Sequence, residues 1–293
     1  MRRRTRKTKV ILSSLFAFLL TLLLLVLFSS IGLGIGVFNS RNISKAINKS
    51  DYLGKAYVAI NQRTEEVLLE AGLPRDLLSD IITPARVHAD GMNYASQALS
   101  TKQEPDNSLE DQRKLHGQIQ TAILEYAIEQ GISQSSELSE GISEGIPESI
   151  KVIADRIEDE YISRVEIKFI EYLKNYKLDY KRLMVVIIPS IMLIIAILCY
   201  MIIRMHRYKY RGLRYIAYGL IASSVLMIAL AWYTLYNKGY HMIKLAPSYY
   251  QYFISSYLRM SITVFAYIGI LGILLAVVLT TLIGVMRNKI INT

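Results

Sequence analysis

Four long stretches without a charged residue constrain this chain more than any other feature. Positions 10–40, 184–203, 215–237 and 260–286 hold no Asp, Glu, Lys or Arg, over 31, 20, 23 and 27 residues in turn. A helix needs about 20 mainly apolar residues to cross roughly 30 Å of hydrocarbon, so each stretch is long enough to span a bilayer. Only helices and closed barrels satisfy every backbone group in lipid, and continuous apolar runs of this length belong to helices. The expected fold is therefore an all-α membrane protein. It has four transmembrane helices at 10–38, 184–203, 215–237 and 260–286, with a helical extracytoplasmic domain at 39–183 between the first and second.

The charges supply an orientation. Every one of the 24 acids lies between Asp51 and Asp179. Six basic residues precede position 10, five fall within 204–214 and two follow Met286, with no acid among these thirteen. Basic residues flanking spans mark the cytoplasmic side. The expected order is a cytoplasmic N-terminus at 1–9, the outer domain at 39–183 and a cytoplasmic loop at 204–214. A tyrosine-rich outer loop at 238–259 and a cytoplasmic tail at 287–293 complete it. Both termini then face the cytoplasm of a plasma-membrane protein. The first span carries a basic start, but its apolar run is about twice a signal-peptide core and no A-x-A site follows, so it reads as a retained anchor.

The net charge of +10 divides unevenly: the outer segment 39–183 holds 18 basic and 24 acidic residues, a balance of −6. The basic excess lies beside the spans, where anionic inner-leaflet lipid is the natural partner, and this argues against nucleic acid. The single cysteine, Cys199, sits inside the second span. Disulfides therefore cannot hold the outer domain, and packing must.

Within the outer segment, Ile43, Ala46, Ser50, Leu53, Tyr57, Ile60, Thr64, Val67 and Ala71 recur three and four apart. They predict one helix with a heptad-like seam, stopped at Gly72-Leu73-Pro74. Thr83-Pro84 is a cap and first-turn proline for the next helix. Polar residues 101–108 predict a loop, 109–131 a helix, and the Ser, Glu and Gly at 133–147 a linker. Beyond Pro147, Ile150, Ile153, Ile157, Tyr161, Val165, Phe169, Tyr172 and Tyr176 form one stripe, with Glu158 off it. An unbroken helix from 147 to 203 is expected, 57 residues long and kinked at Pro189.

Catalytic signatures are missing. There is no G-x-S-x-G, phosphate-binding loop or H-E-x-x-H. The four histidines have no metal partner at useful sequence spacing, and Glu65, Glu66 and Asp90 are carboxylates without a catalytic pattern. The spans carry no acid or base of the kind proton relays and ion pathways use. A non-enzymatic protein is expected, with no catalytic residue, cofactor or metal. Tyr249, Tyr250, Tyr252, Phe253 and Tyr257 form the candidate interaction surface. They suit either a binding platform or an interfacial helix starting after Pro247, its rings in the aromatic belt.

Tyr52-Leu53, Glu65-Glu66, Gly72-Leu73-Pro74 and Asp90 with Tyr94, all within 43–106, resemble outer segments of uncharacterised Gram-positive multipass membrane proteins. The resemblance carries no activity. The function expected is a cell-envelope module that senses or scaffolds by binding other proteins. The alternative is an accessory subunit of a transport or export complex. An inner segment of about eleven residues leaves no room for an output domain, so a protein partner is expected in the envelope or membrane.

Overall fold

The computed structural model describes residues 2–98, 108–130, 148–206, 208–238, 245 and 247–291. The polar loop at 101–108, but for Ser108, and the linker at 133–147 lie outside the described residues, as does His241. The described residues contain helices, turns and bends and no strand. Four helices are long and apolar enough to cross a membrane, spanning Lys9–Val37, Lys168–Arg204, Lys209–Tyr236 and Ser248–Asn288. The chain divides into two compact units. The apolar unit comprises Met1–Asn42, Tyr176–Lys244 and Ile254–Thr293, and the polar unit comprises Ile43–Asn175 and Leu245–Phe253.

In the apolar unit, α1 (Arg2–Gly32) packs chiefly on α8 (Lys209–Tyr236). Small residues set the approach: a Cβ added at Gly219 would lie 3.3 Å from the Ala17 carbonyl oxygen, and Leu20 beside it is fully buried. On α9 (Ser248–Ile291), a Cβ at Gly269 would come within 2.6 Å of Ile228 and 2.9 Å of the Ser224 carbonyl. Lipid tails are as apolar as leucine, so close backbone approach and dispersion replace the hydrophobic drive. Ser223 and Ser224 are fully buried there, and each hydroxyl donates to the Leu220 carbonyl one turn back.

At its end α1 widens into a π-helical turn, Leu33–Val37. The π register displaces carbonyls from their usual partners, and side chains from elsewhere in the unit take them up. Tyr180 of α7 (Lys168–Arg204) donates to the Ser30 carbonyl. Asn42 and Ser261 both donate to Gly36 O, at 2.9 and 3.2 Å, and Tyr257 donates to Val37 O at 2.5 Å. Gly36 is needed for this approach, since a Cβ there would sit 3.0 Å from the Ser261 carbonyl.

In the polar unit the expected first helix is two. α2 (Ser40–Ser50) and α3 (Tyr52–Glu70) are separated by Asp51, whose φ of 50° is left-handed. Aspartate tolerates that conformation better than most side chains, so the helix breaks without glycine or proline. The seam keeps its phase across the break: Ile43, Ala46, Ser50, Leu53, Ile60, Thr64 and Val67 are buried. Tyr57 is half-buried and Ala71 exposed.

The stop after α3 is a Schellman arrangement. Gly72 has φ 74°, Leu73 N–H donates to Leu68 O at 2.8 Å, and Gly72 N–H donates to Leu69 O at 3.0 Å. α4 (Pro84–Ala98) begins as the sequence predicts, with Arg86 N–H donating to Thr83 Oγ1 at 3.2 Å.

The expected 57-residue helix is also broken, into α6 (Glu148–Val165) and α7, with Glu166 and Ile167 between them. No glycine or proline marks the place. The break frees the Arg164 carbonyl, and the Tyr52 hydroxyl donates to it at 3.0 Å. It also resets the buried face. Tyr172 and Tyr176, which continue the predicted stripe, are 66% and 68% exposed, while Ile167, Ile170 and Leu173 are buried instead. Upstream of the break the stripe holds: Ile150, Ile157, Tyr161 and Val165 are buried, joined by Ala154. They meet Ile60, Val67 and Leu68 of α3 and Leu115, Ile119 and Ile123 of α5 (Ser108–Glu129) in one core. The last helix starts at Ser248 and continues to Ile291, so the second half of the predicted loop 238–259 is helical.

Candidate functional site

The expected tyrosine surface divides between the two units. In the polar unit, Tyr52 of α3 is surrounded by aromatic rings of 247–253. Its centroid lies 5.3 Å from Tyr249, 5.4 Å from Phe253 and 6.3 Å from Tyr250. Phe253 is fully buried and also meets Phe169 at 6.3 Å. Arg164 pairs with Glu160 one helical turn back and donates from Nη1 to the Tyr249 hydroxyl at 2.9 Å. Tyr252 points outward, 60% exposed, with the Lys55 ammonium 5.2 Å over its ring. In the apolar unit, Tyr257 is 1% exposed and caps Val37. Phe253 and Tyr257 thus serve as packing. Tyr252 is the outward-facing ring of the five.

Burial places the ionisations of these phenols far from neutrality. It raises the Tyr52 hydroxyl above the ordinary tyrosine range; Tyr249 and Tyr250 add to the shift and Arg164 opposes it. Tyr94 is pushed up to about 12, first by burial and then by Glu166 and Glu171. Tyr161 is raised by burial and by its 2.7 Å hydrogen bond to Asp90 Oδ2. All three are neutral hydrogen-bonding groups near pH 7.

The carboxylates singled out in the sequence have separate partners. Glu65 accepts from Asn61 at 2.6 Å, Glu66 pairs with Arg63 at 2.7 Å, and Asp90 holds Tyr161 with Arg86 3.8 Å away. An open groove of about 510 Å³ runs past Asp80, Ile81, Arg86, Lys114, Gln118 and Glu125, with charges of both signs along it.

A cluster that sequence spacing did not disclose joins α5 to α6. His116 Nδ1 lies 2.6 Å from Glu158 Oε2 and 3.7 Å from Asp155 Oδ1. Its Nε2 lies 2.6 Å from Gln120 Nε2, and Gln120 is 9% exposed. Glu158, expected on the outside, is held inward by this contact, its side chain 18% exposed. Among the described residues this is where His and acidic side chains gather closely enough for a metal ion, with one donor atom each within 4.8 Å of one another. The signal available in the sequence was Asp155 and Glu158 three apart on one helix face. Their partner is 42 positions from Glu158, too far for any local pattern.

His88 and His206 stand elsewhere, against Asn48 Oδ1 at 3.4 Å and the Ile202 carbonyl at 3.0 Å. Comparison with protein-family models, with curated proteins and with solved structures finds no match to this chain.

Proposed function

We propose that this is a non-enzymatic multipass protein of the plasma membrane and cell envelope, whose polar unit lies outside the cytoplasm and senses or scaffolds by binding other proteins. The observation that carries the reading is the segregation of charge onto the units. All 24 acids but Asp179 belong to the polar unit, and thirteen basic residues without an acid flank the spans. Membrane insertion retains basic flanks inside, while a long segment crosses largely regardless of its charge. At the proposed inner loop, Arg211 lies over the rings of Tyr208 and Tyr210 at 5.6 and 5.9 Å, and Arg214 over Tyr210 at 5.9 Å. Such arginine–tyrosine pairs suit an interface with anionic lipid headgroups.

The open groove beside Arg86 and Glu125, with charges of both signs along it, suits the docking of another protein. Two experiments test the reading. Reporters fused after Asn107 and after Lys209 are expected to be active outside and inside the cytoplasm respectively; the reverse at either site rejects the topology. A photo-cross-linker at Thr121, on the groove wall, is expected to capture a discrete envelope protein in intact cells, and the capture should vanish when Arg86 and Glu125 are charge-reversed. Capture unaffected by the reversal rejects the groove as the docking face.

One observation favours the accessory-subunit reading. Only 6% of the most apolar window of α7 is buried within the protein, against 33% for α8. A helix this uncovered presents a whole face to lipid or to a second membrane protein. Co-purification of a permease that is lost with bulky-to-alanine changes at Leu193 and Ile197 would support that role.

A further inference from the structure

We propose that His116, Asp155 and Glu158 form a site for one divalent cation of the zinc class, clamping α5 to α6. The site concerns the polar unit's own chemistry and stands or falls independently of what that unit docks. Zinc bonds to imidazole nitrogen and carboxylate oxygen are about 2.0–2.2 Å long, which places tetrahedral donors roughly 3.2–3.6 Å apart. The separation of His116 Nδ1 from Asp155 Oδ1, 3.7 Å, lies just beyond that spacing. Glu158 Oε2, at 2.6 Å, needs to withdraw by under about 1 Å, a small side-chain rotation. Asp155 and Glu158 stand three apart on α6, so one helix turn presents both carboxylates toward α5.

The donor set selects the ion. One imidazole with two carboxylates suits zinc and its transition-metal neighbours, whereas magnesium and calcium prefer oxygen alone. Three protein donors leave a fourth position for water, and the Asp155 side chain, 52% exposed, opens the site to solvent. Gln120 supplies the outer support. A histidine that binds metal through Nδ1 carries its proton on Nε2 and needs an acceptor there. The Gln120 amide, 2.6 Å from Nε2, provides that acceptor by turning its oxygen toward the ring. Without metal the same groups close on themselves, Nδ1–H donating to Glu158 and the Gln120 amide N–H donating to Nε2. One tautomer change and one amide rotation separate the two states, so the cluster is intact in both.

The test uses the full-length protein in detergent, stripped with chelator and dialysed against zinc ion alone. The expected result is one zinc per chain and a higher thermal midpoint for unfolding, with no such effect from magnesium at equal concentration. Asp155→Asn, at an exposed position where folding is not at stake, should weaken zinc binding at least about tenfold. His116→Gln should abolish binding while circular dichroism shows unchanged helicity, and His88→Gln should bind as the parent does. Absence of bound zinc in the parent protein overturns the proposal, leaving a hydrogen-bonded cluster only. Retention of zinc at unchanged affinity in Asp155→Asn and His116→Gln overturns it equally.

Discussion

The two units solve the packing problem by opposite means. The polar unit is filled with bulky aliphatics: Ile60, Leu68, Ile119, Ile123 and Ile157 are each 1% exposed or less. In water, each such side chain contributes about 1.5–3 kcal/mol on burial. The apolar unit turns many of its bulky residues outward, with Leu193, Leu230 and Leu274 each more than half exposed, and puts Gly219, Gly269, Gly272, Ser223 and Ser224 at its contacts beside Leu20 and Phe28. Lipid rewards no aliphatic burial, so close approach and hydrogen bonding decide what goes inside. The same residue type therefore means different things in the two regions: a buried leucine is a main source of stability in one and adds little in the other.

The sharpest way to break this contrast is a charge in the aliphatic core. Ile157→Asp is expected to destabilise the polar unit by several kcal/mol, about 3–5, because the carboxylate has no partner among Ile60, Ile119 and their neighbours. Hydrogen exchange should show protection lost throughout α3, α5 and α6. Glu158→Ala, next to it, should cost about 1–3 kcal/mol, since it strands His116 rather than emptying a surface position.

In the apolar unit the equivalent lesion is bulk. Gly269→Leu is expected to cost about 1–3 kcal/mol by forcing α9 from Ser224 and Ile228. Gly284→Leu, where an added Cβ meets nothing within 4 Å, should leave the detergent melting curve unchanged. Equal melting of the two variants would refute small-residue packing as the organising device.

Alkali should act on the polar unit through its buried phenols. Folding raises the Tyr52, Tyr94 and Tyr161 hydroxyls above the unfolded value of about 10, so the folded state holds its protons longer. That contribution is complete below pH about 10 and is lost as pH rises toward the Tyr94 value of about 12. The urea midpoint of the polar unit should therefore fall between pH about 10 and about 12, less steeply in Tyr94→Phe. Tyr161→Phe at neutral pH removes the bond to Asp90 and should cost about 1 kcal/mol. Smallest of all, Tyr252→Phe keeps the ring beneath Lys55 and should change stability by less than about 0.5 kcal/mol.

Legibility followed the range of the interactions. The four apolar stretches, the Gly72 stop, the Thr83-Pro84 start and the α3 seam were readable because each depends on neighbours within a few positions. The breaks at Asp51 and at Glu166–Ile167 were not. Neither place carries a breaker, and the second is sustained by a hydroxyl from Tyr52, 112 positions from the carbonyl it caps. The periodic stripe continues through that break in the sequence, whereas the structure turns Tyr172 and Tyr176 outward. The tyrosine surface was half legible. Composition located the aromatic residues, but only the fold separates Tyr252 outside from Phe253 and Tyr257 inside.

What the sequence determined by itself is the solvent each segment requires. Charge and hydropathy are additive along the chain, so the number of apolar helices and the acidic character of the remaining unit follow from counting. What the tertiary structure decided is which groups meet. His116 between Glu158 and Asp155, Tyr161 on Asp90, and the three hydroxyls and one amide on the carbonyls at the end of α1 all join separate helices. A contact of that kind depends on the phase and termination of two helices at once, and a one-residue shift in either rotates its partners about 100° away.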